Sequence, residues 1–172
     1  EDDIINLSDP PYYTACPNPW LNDFIEEWEK EKVVLEKEGK RKADFEVNEP
    51  YATDVSEGKN NPIYMAHAYH TKVPHPAIMR YILHYTQPGD IIFDGFAGTG
   101  MTGVAAGKCG DASEVKLYQI EGNIGIRHCI LGDLSPIASF ISYNFNNPYN
   151  TEKIKKEATL ISQKVKNEFE YL

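Results

Sequence analysis

Cysteine is scarce in this chain. Cys16, Cys109 and Cys129 are odd in number, far apart and form no C-x-x-C pair, so neither a disulfide framework nor a zinc knuckle is indicated, and a reducing cytoplasm fits best. Arginine is scarcer relative to need: there are only Arg41, Arg80 and Arg127, and the formal net charge is −9. That balance excludes a general basic surface for a polyanion, so any grip on nucleic acid must come from a local patch or from another region. No apolar run approaches the length of a membrane span, and the chain does not open with a secretory leader. It lacks an initial Met and opens on residues that read as mid-strand, which predicts an upstream element.

What is present is an ordinary globular composition, 41% hydrophobic over 172 residues, enough for a single domain with a sizeable core. Its centre is Ile91-Ile92-Phe93-Asp94-Gly95-Phe96-Ala97-Gly98-Thr99-Gly100-Met101-Thr102-Gly103. After the breaker Pro88-Gly89, an apolar run predicts a strand, the glycines a tight bend, and the small residues that follow a closely packed helix from about Thr99. Gly98 and Gly100 permit positive φ, and the helix start directs its free N–H groups into the same space. The spacing G-x-x-G-x-G is not the dinucleotide fingerprint, and no Lys follows the last Gly, which excludes a P-loop. An aromatic in the bend, with no cation to hold an anion, suits an uncharged nucleoside better than a polyphosphate.

A second stretch is Asp9-Pro10-Pro11-Tyr12, preceded by the short apolar run Ile4 to Leu7. Two prolines remove two backbone donors and fix φ, so the turn presents acceptors only, at the end of a predicted strand where open α/β sheets hold their ligands.

Taken together, the two motifs resemble the signature of the S-adenosylmethionine-dependent amino-methyltransferases, which methylate the exocyclic nitrogen of adenine or cytosine in DNA. The acceptor turn precedes the glycine loop, similar to the permuted order of the beta group. His70-Thr71-Lys72-Val73-Pro74 is similar to the step before its first strand, with Val73 interposed. Asp9 to Trp20, Tyr64 to Ala106 and Asp133-Leu134-Ser135-Pro136 look most like a branch of large bacterial DNA methylases, in which these residues would be one part of the chain.

The resemblance implies an α/β fold, a Rossmann-like methyltransferase sheet with helices on both faces, here incomplete. It implies S-adenosylmethionine as cofactor, held by Asp94, Gly95, Phe96, Ala97, Gly98, Thr99, Gly100 and Thr102, with His70 and Lys72 beside it. Asp133, at the end of a second core strand at about 127–132, would accept from the two ribose hydroxyls; capping of the next helix is by itself a sufficient reason for an acid there. Asp9 and the Pro10 carbonyl would accept from the amino group, Pro11 would stiffen the turn and Tyr12 would stack on a flipped base. Adenine is favoured over cytosine. DNA is the implied partner, through a recognition region outside these residues, and a restriction-modification partner fits the same picture. Related enzymes act on RNA bases or protein glutamine, and a downstream Asp-Pro-Pro motif in a longer chain would reduce these residues to a cofactor-binding piece. A cofactor-free scaffold is the contrasting reading.

Between these motifs, Trp20, Leu21, Phe24, Ile25 and Trp28 share one helical face and predict core packing. Glu29 to Lys42 reads as a solvated helix end and flexible connector, and 44–61 as a long loop. Ile63-Tyr64-Met65 reads as a short strand. His67, His70 and His75 lack a carboxylate or fourth ligand for a metal and read as the pocket's rim. Pro74 or Pro76 opens a helix with Ile78, Met79, Ile82 and Leu83 on one side. About 110–126 reads as a hairpin insertion, Ile137 to Phe145 as a helix opened by Ser135-Pro136, and Thr151 to Leu172 as an amphipathic helix with Ile154, Leu160, Ile161, Val165 and Phe169 inward.

Overall fold

The computed structural model describes residues 18–54, 56 and 59–169. The acceptor turn Asp9–Tyr12 and the strand predicted before it therefore lie outside the described residues, as does Cys16.

Helix α1 (Leu21–Lys37) follows Asn18-Pro19, where the Asn18 side chain accepts from the Trp20 amide at 3.0 Å. It runs well past the predicted apolar stretch into the charged one. The connector is also not loose. Gly39, at φ 68°, lets the helix turn off, and Arg41 then donates to Asp90 at 2.6 Å, to the Pro88 carbonyl at 3.1 Å and to Glu36 at 3.2 Å. Mixed charge here marks an anchored joint, because the cation has partners on the turn before the strand. The expectation for the tryptophans needs a similar correction: no residue of α1 is buried and Trp20 is exposed. Trp28 instead stacks on His128, with centroids 4.6 Å apart and planes 5° from parallel, while Glu31 reaches the same imidazole at 2.7 Å.

Helix α2 (Pro62–Met65) replaces the predicted short strand. Three apolar residues carry no period, and the choice falls to Asn61, whose side chain accepts from the Ile63 amide at 2.8 Å, with Pro62 at the first turn. Helix α3 (His75–Tyr85) starts at the prolines as expected and buries Met79, Ile82 and Leu83. After the Pro88-Gly89 break comes β1 (Ile91–Asp94), then the glycine loop and α4 (Met101–Lys108).

The predicted hairpin is α5 (Ala112–Leu117) followed by an irregular return. Asp111 caps this helix, accepting from the amides of Ser113 at 3.0 Å and Glu114 at 3.3 Å and from the Ser113 hydroxyl at 2.5 Å. The alternation of 115–120 looked strand-like, yet Val115 and Ile120 enter the core from a helix and the turn beyond it. Arg127 then ties the return down: 2% exposed, it donates to the carbonyls of Thr86 (2.9 Å), Asn123 (2.8 Å) and Gly125 (2.6 Å).

Strand β2 (His128–Leu131) lies parallel to β1, with Ile91 opposite His128 and Asp94 opposite Leu131. The core of Met79, Ile82, Leu83, Ala105, Ala106, Cys109, Val115 and Ile120 covers one face of this pair, against Ile92 and Cys129. Helix α6 (Pro136–Asn146) is capped by Ser135, and α7 (Thr151–Phe169) follows. The latter corrects the last expectation, since every residue of α7 is exposed, including the five placed inward. The architecture is thus α/β around a two-stranded parallel sheet among the described residues. No helix among them is long and apolar enough to cross a membrane.

Candidate cofactor cleft

Both strands end at the same level, and the glycine loop is sewn across their ends. The Gly132 amide donates to the Asp94 carbonyl at 2.8 Å and the Ala97 amide to the Gly132 carbonyl at 2.9 Å. Asp94 steadies the loop from beneath: one oxygen accepts from the Phe96 amide at 3.2 Å, the other from the Thr102 hydroxyl at 2.6 Å. Asp133 steadies it from β2, accepting from the Gly98 amide at 2.8 Å and, with its other oxygen, from the Ser135 amide at 2.9 Å. One carboxylate therefore joins the loop after β1 to the entry of α6.

Two glycines are required rather than convenient. Gly98 (φ 53°) and Gly100 (φ 79°) both occupy the left-handed region, as their spacing suggested. A Cβ on Gly100 would lie 2.2 Å from Ser142 Oγ and 2.6 Å from Asn146 Nδ2. Asn146 in turn donates to the Gly100 carbonyl at 3.0 Å and to the Ser142 carbonyl at 2.9 Å, so α6 clamps the loop where α4 begins.

Above the loop is a cleft of about 190 Å³. It is lined by Asp94, Phe96, Ala97, Gly98, Thr99, Thr102 and Lys72, all singled out from the sequence, together with Tyr69, Thr71, Val73, Ile78 and Met101. Gly95, Gly100 and Asp133 shape the loop from behind. His70 is exposed and lies on an adjoining hollow with Tyr64 and His67. His75 is not on the rim at all: it is 0% exposed at the start of α3, 3.5 Å from Glu114 of α5. Its position next to the helix-opening prolines hid this, because burial there depends on the misread segment that covers it.

Lys72 donates to the carbonyls of Tyr64 and His67 and lies 4.5 Å from the Tyr64 ring centroid. Desolvation lowers its pKa, and desolvation together with the Lys72 charge lowers that of His67, whose ring meets Phe145 edge-on at 4.8 Å. The lysine thus closes the carbonyl end of α2 while facing the cleft. Tyr69 and Asn146 had no sequence signal; the first follows no spacing rule, and the second acts across 46 residues.

The cleft combines a buried hydroxyl, an exposed aromatic ring and carboxylates with spare acceptor capacity. Thr99 is 2% exposed and its hydroxyl has no hydrogen-bond partner among the described residues. Phe96, 84% exposed, offers an unshielded ring at the mouth. Asp133 spends one bond per oxygen on the backbone, and a carboxylate has about four acceptor sites. Among the described residues no group of three His, Cys, Asp or Glu is placed to hold a metal.

The N6/N4 methyltransferase family model, described as DNA methylase, matches residues 18–155. The chain belongs to this family of adenine N6/cytosine N4 DNA methylases. The match takes in the whole glycine loop, both strands and α6, and begins after the Asp9–Tyr12 turn. Comparisons with curated proteins and with solved structures give no match.

Proposed function

We propose that this member of the DNA methylase family uses S-adenosylmethionine, bound in the cleft above the glycine loop, to methylate an exocyclic amino group in DNA, that of adenine before cytosine. The observation that carries the reading is the Gly98–Asp133 link beside the unpartnered Thr99 hydroxyl. It fixes a positive-φ loop and a buried polar group at the cleft, with the Asp133 carboxylate held against the loop beside it. The bound sulfonium supplies an electrophilic methyl group. The residues of this chain supply position and polarity: Asp133 accepts from ribose hydroxyls, Thr99 offers its hydroxyl, and Asp94 keeps Thr102 and the loop in place.

An adenine amino group is a poor nucleophile because its lone pair is delocalised into the ring. Acceptors around its two N–H bonds favour the tetrahedral nitrogen whose lone pair is free to attack. Asp9 and the Pro10 carbonyl are assigned that task, Pro11 the rigidity of the turn and Tyr12 the stacking of a flipped base. A DNA grip from a region beyond these residues, and pairing with a restriction nuclease, belong to the same reading, in keeping with the net charge of −9.

Calorimetric titration with S-adenosylmethionine tests the cofactor half of the proposal: Asp94→Ala and Gly98→Val abolish the heat, and Asp9→Ala keeps it. Labelled-methyl transfer to plasmid, RNA and protein tests the other half, with label expected on plasmid adenine. Absence of heat from the parent chain would favour a scaffold. The start of the family match after Tyr12 favours one second reading, a cofactor-binding piece whose acceptor motif lies elsewhere. Heat without transfer, and transfer unaffected by Asp9→Ala in a longer chain, would establish it.

A further inference from the structure

Helix α7 has 19 residues, and every one of them is exposed. A free helix of that length is only marginally stable in water, and most helices in proteins are held by burying an apolar stripe. The stripe is present. Ile154, Ala158, Ile161 and Val165 recur at steps of four, three and four, the alternation of the inner positions of a coiled coil, and all stand in solvent.

The charges beside the stripe say what covers it. Glu157 and Lys164 occupy equivalent flanking positions one heptad apart, on the same side of the seam; Lys155 and Ser162 occupy the other side. Set against an antiparallel copy of itself, the helix forms four layers. Ile154 meets Val165 of the second copy, Ala158 meets Ile161, and the two-fold axis repeats both. Each layer then pairs a larger with a smaller side chain, as close packing asks. In this register Glu157 lies opposite Lys164 of the second copy, twice, and Lys155 lies opposite Ser162, so no like charges meet. A parallel arrangement places Ala158 on Ala158 and Glu157 opposite Ser162, with poorer packing and no ion pair. We propose that α7 pairs antiparallel with α7 of a second copy of this chain, through the Ile154–Ala158–Ile161–Val165 stripe and two Glu157–Lys164 ion pairs. The interface is isologous, as a two-fold dimer requires.

Four layers make a small interface, so the dimer is weak and concentration-dependent. Sedimentation equilibrium of the full chain up to about 100 µM is expected to give a monomer–dimer equilibrium. Glu157→Lys turns both attractions into repulsions and weakens dimerisation about tenfold. Adding Lys164→Glu to it restores the parent affinity, because the pairs are re-formed with their signs exchanged. Ile161→Glu abolishes the dimer, and the main melting transition stays, since that side chain is 60% exposed and not part of the core cluster. A chain that remains monomeric throughout overturns the proposal. So does a dimer indifferent to Glu157→Lys, the result for parallel pairing or for another contact surface, and so does a weakened one that the double exchange fails to rescue.

Discussion

Replacing Asp133 by alanine removes a side chain that fastens the glycine loop to the second strand's end. Its two bonds, 2.8 Å from the Gly98 amide and 2.9 Å from the Ser135 amide, are charge-assisted, each worth about 1.5–3 kcal/mol. The site is half-buried, so water recovers part of the loss and the lower end applies to each. A total near 3 kcal/mol follows, which for a chain of this size lowers the melting temperature by about 6–12 °C. Asp133→Asn keeps one acceptor but turns an N–H₂ toward the other amide, and about half that shift is expected. Ligand linkage separates the structural role from the binding role. Saturation at about a hundred times Kd adds roughly 2.7 kcal/mol to the parent, and Asp133→Ala forfeits that gain as well. Scanning calorimetry with and without S-adenosylmethionine reads both effects. An alanine variant that melts within about 2 °C of the parent would refute the account of the loop, and one that melts low yet gains the full ligand shift would refute the ribose role.

Glycine substitutions at two sites should have opposite effects. Gly100→Ala meets Ser142 Oγ at 2.2 Å in a left-handed backbone and should lower stability by about 3 kcal/mol and eliminate cofactor heat, whereas Gly107→Ala, in α4 with nothing within 4 Å, should add about 0.5–1 kcal/mol; denaturant midpoints check both. Burial pushes the Cys109 thiol up to about 11 and the Cys129 thiol to about 12, so neither should react with iodoacetamide at about pH 8 unless the chain is unfolded first, as peptide mapping would show. Unfolded thiols ionise near 9, so the stability these two contribute is intact below that pH and is lost as the pH rises through 11 and 12. The Ser113 hydroxyl first, then the Glu114 amide and Lys108, hold Asp111 down to about 2; its contribution is present above the ordinary 3.8 and disappears as the pH falls through 2, a loss that Asp111→Ala should abolish in acid melts.

Much of the fold's punctuation was legible because it is written in adjacent residues. Ser135-Pro136 and Pro74 to Pro76 open helices where they stand, Pro88-Gly89 breaks the chain before β1, and Gly98 and Gly100 take the backbone form that only their missing side chains make cheap. The two misread elements share one cause. At Ile63 to Met65 and at Val115 to Ile120 the apolar pattern was too short to separate a strand from a helix, and caps at Asn61 and Asp111 decided it. Those caps were also in the sequence, as Asn-Pro and Asp-x-x-Glu, and outweigh a weak alternation.

Sequence alone determined the local chemistry of the loop, the acceptor turn that resembles a catalytic motif, and membership in a DNA methylase family, since each depends on residue type and order along a few neighbouring positions. Tertiary structure alone decided which carboxylate grips Gly98, that Asn146 clamps Gly100, that His75 is buried while His70 is not, and that the stripe on α7 faces water. Those outcomes depend on which distant surfaces meet, and a contact between residues 35 or 46 positions apart leaves no periodic trace along the chain that makes it.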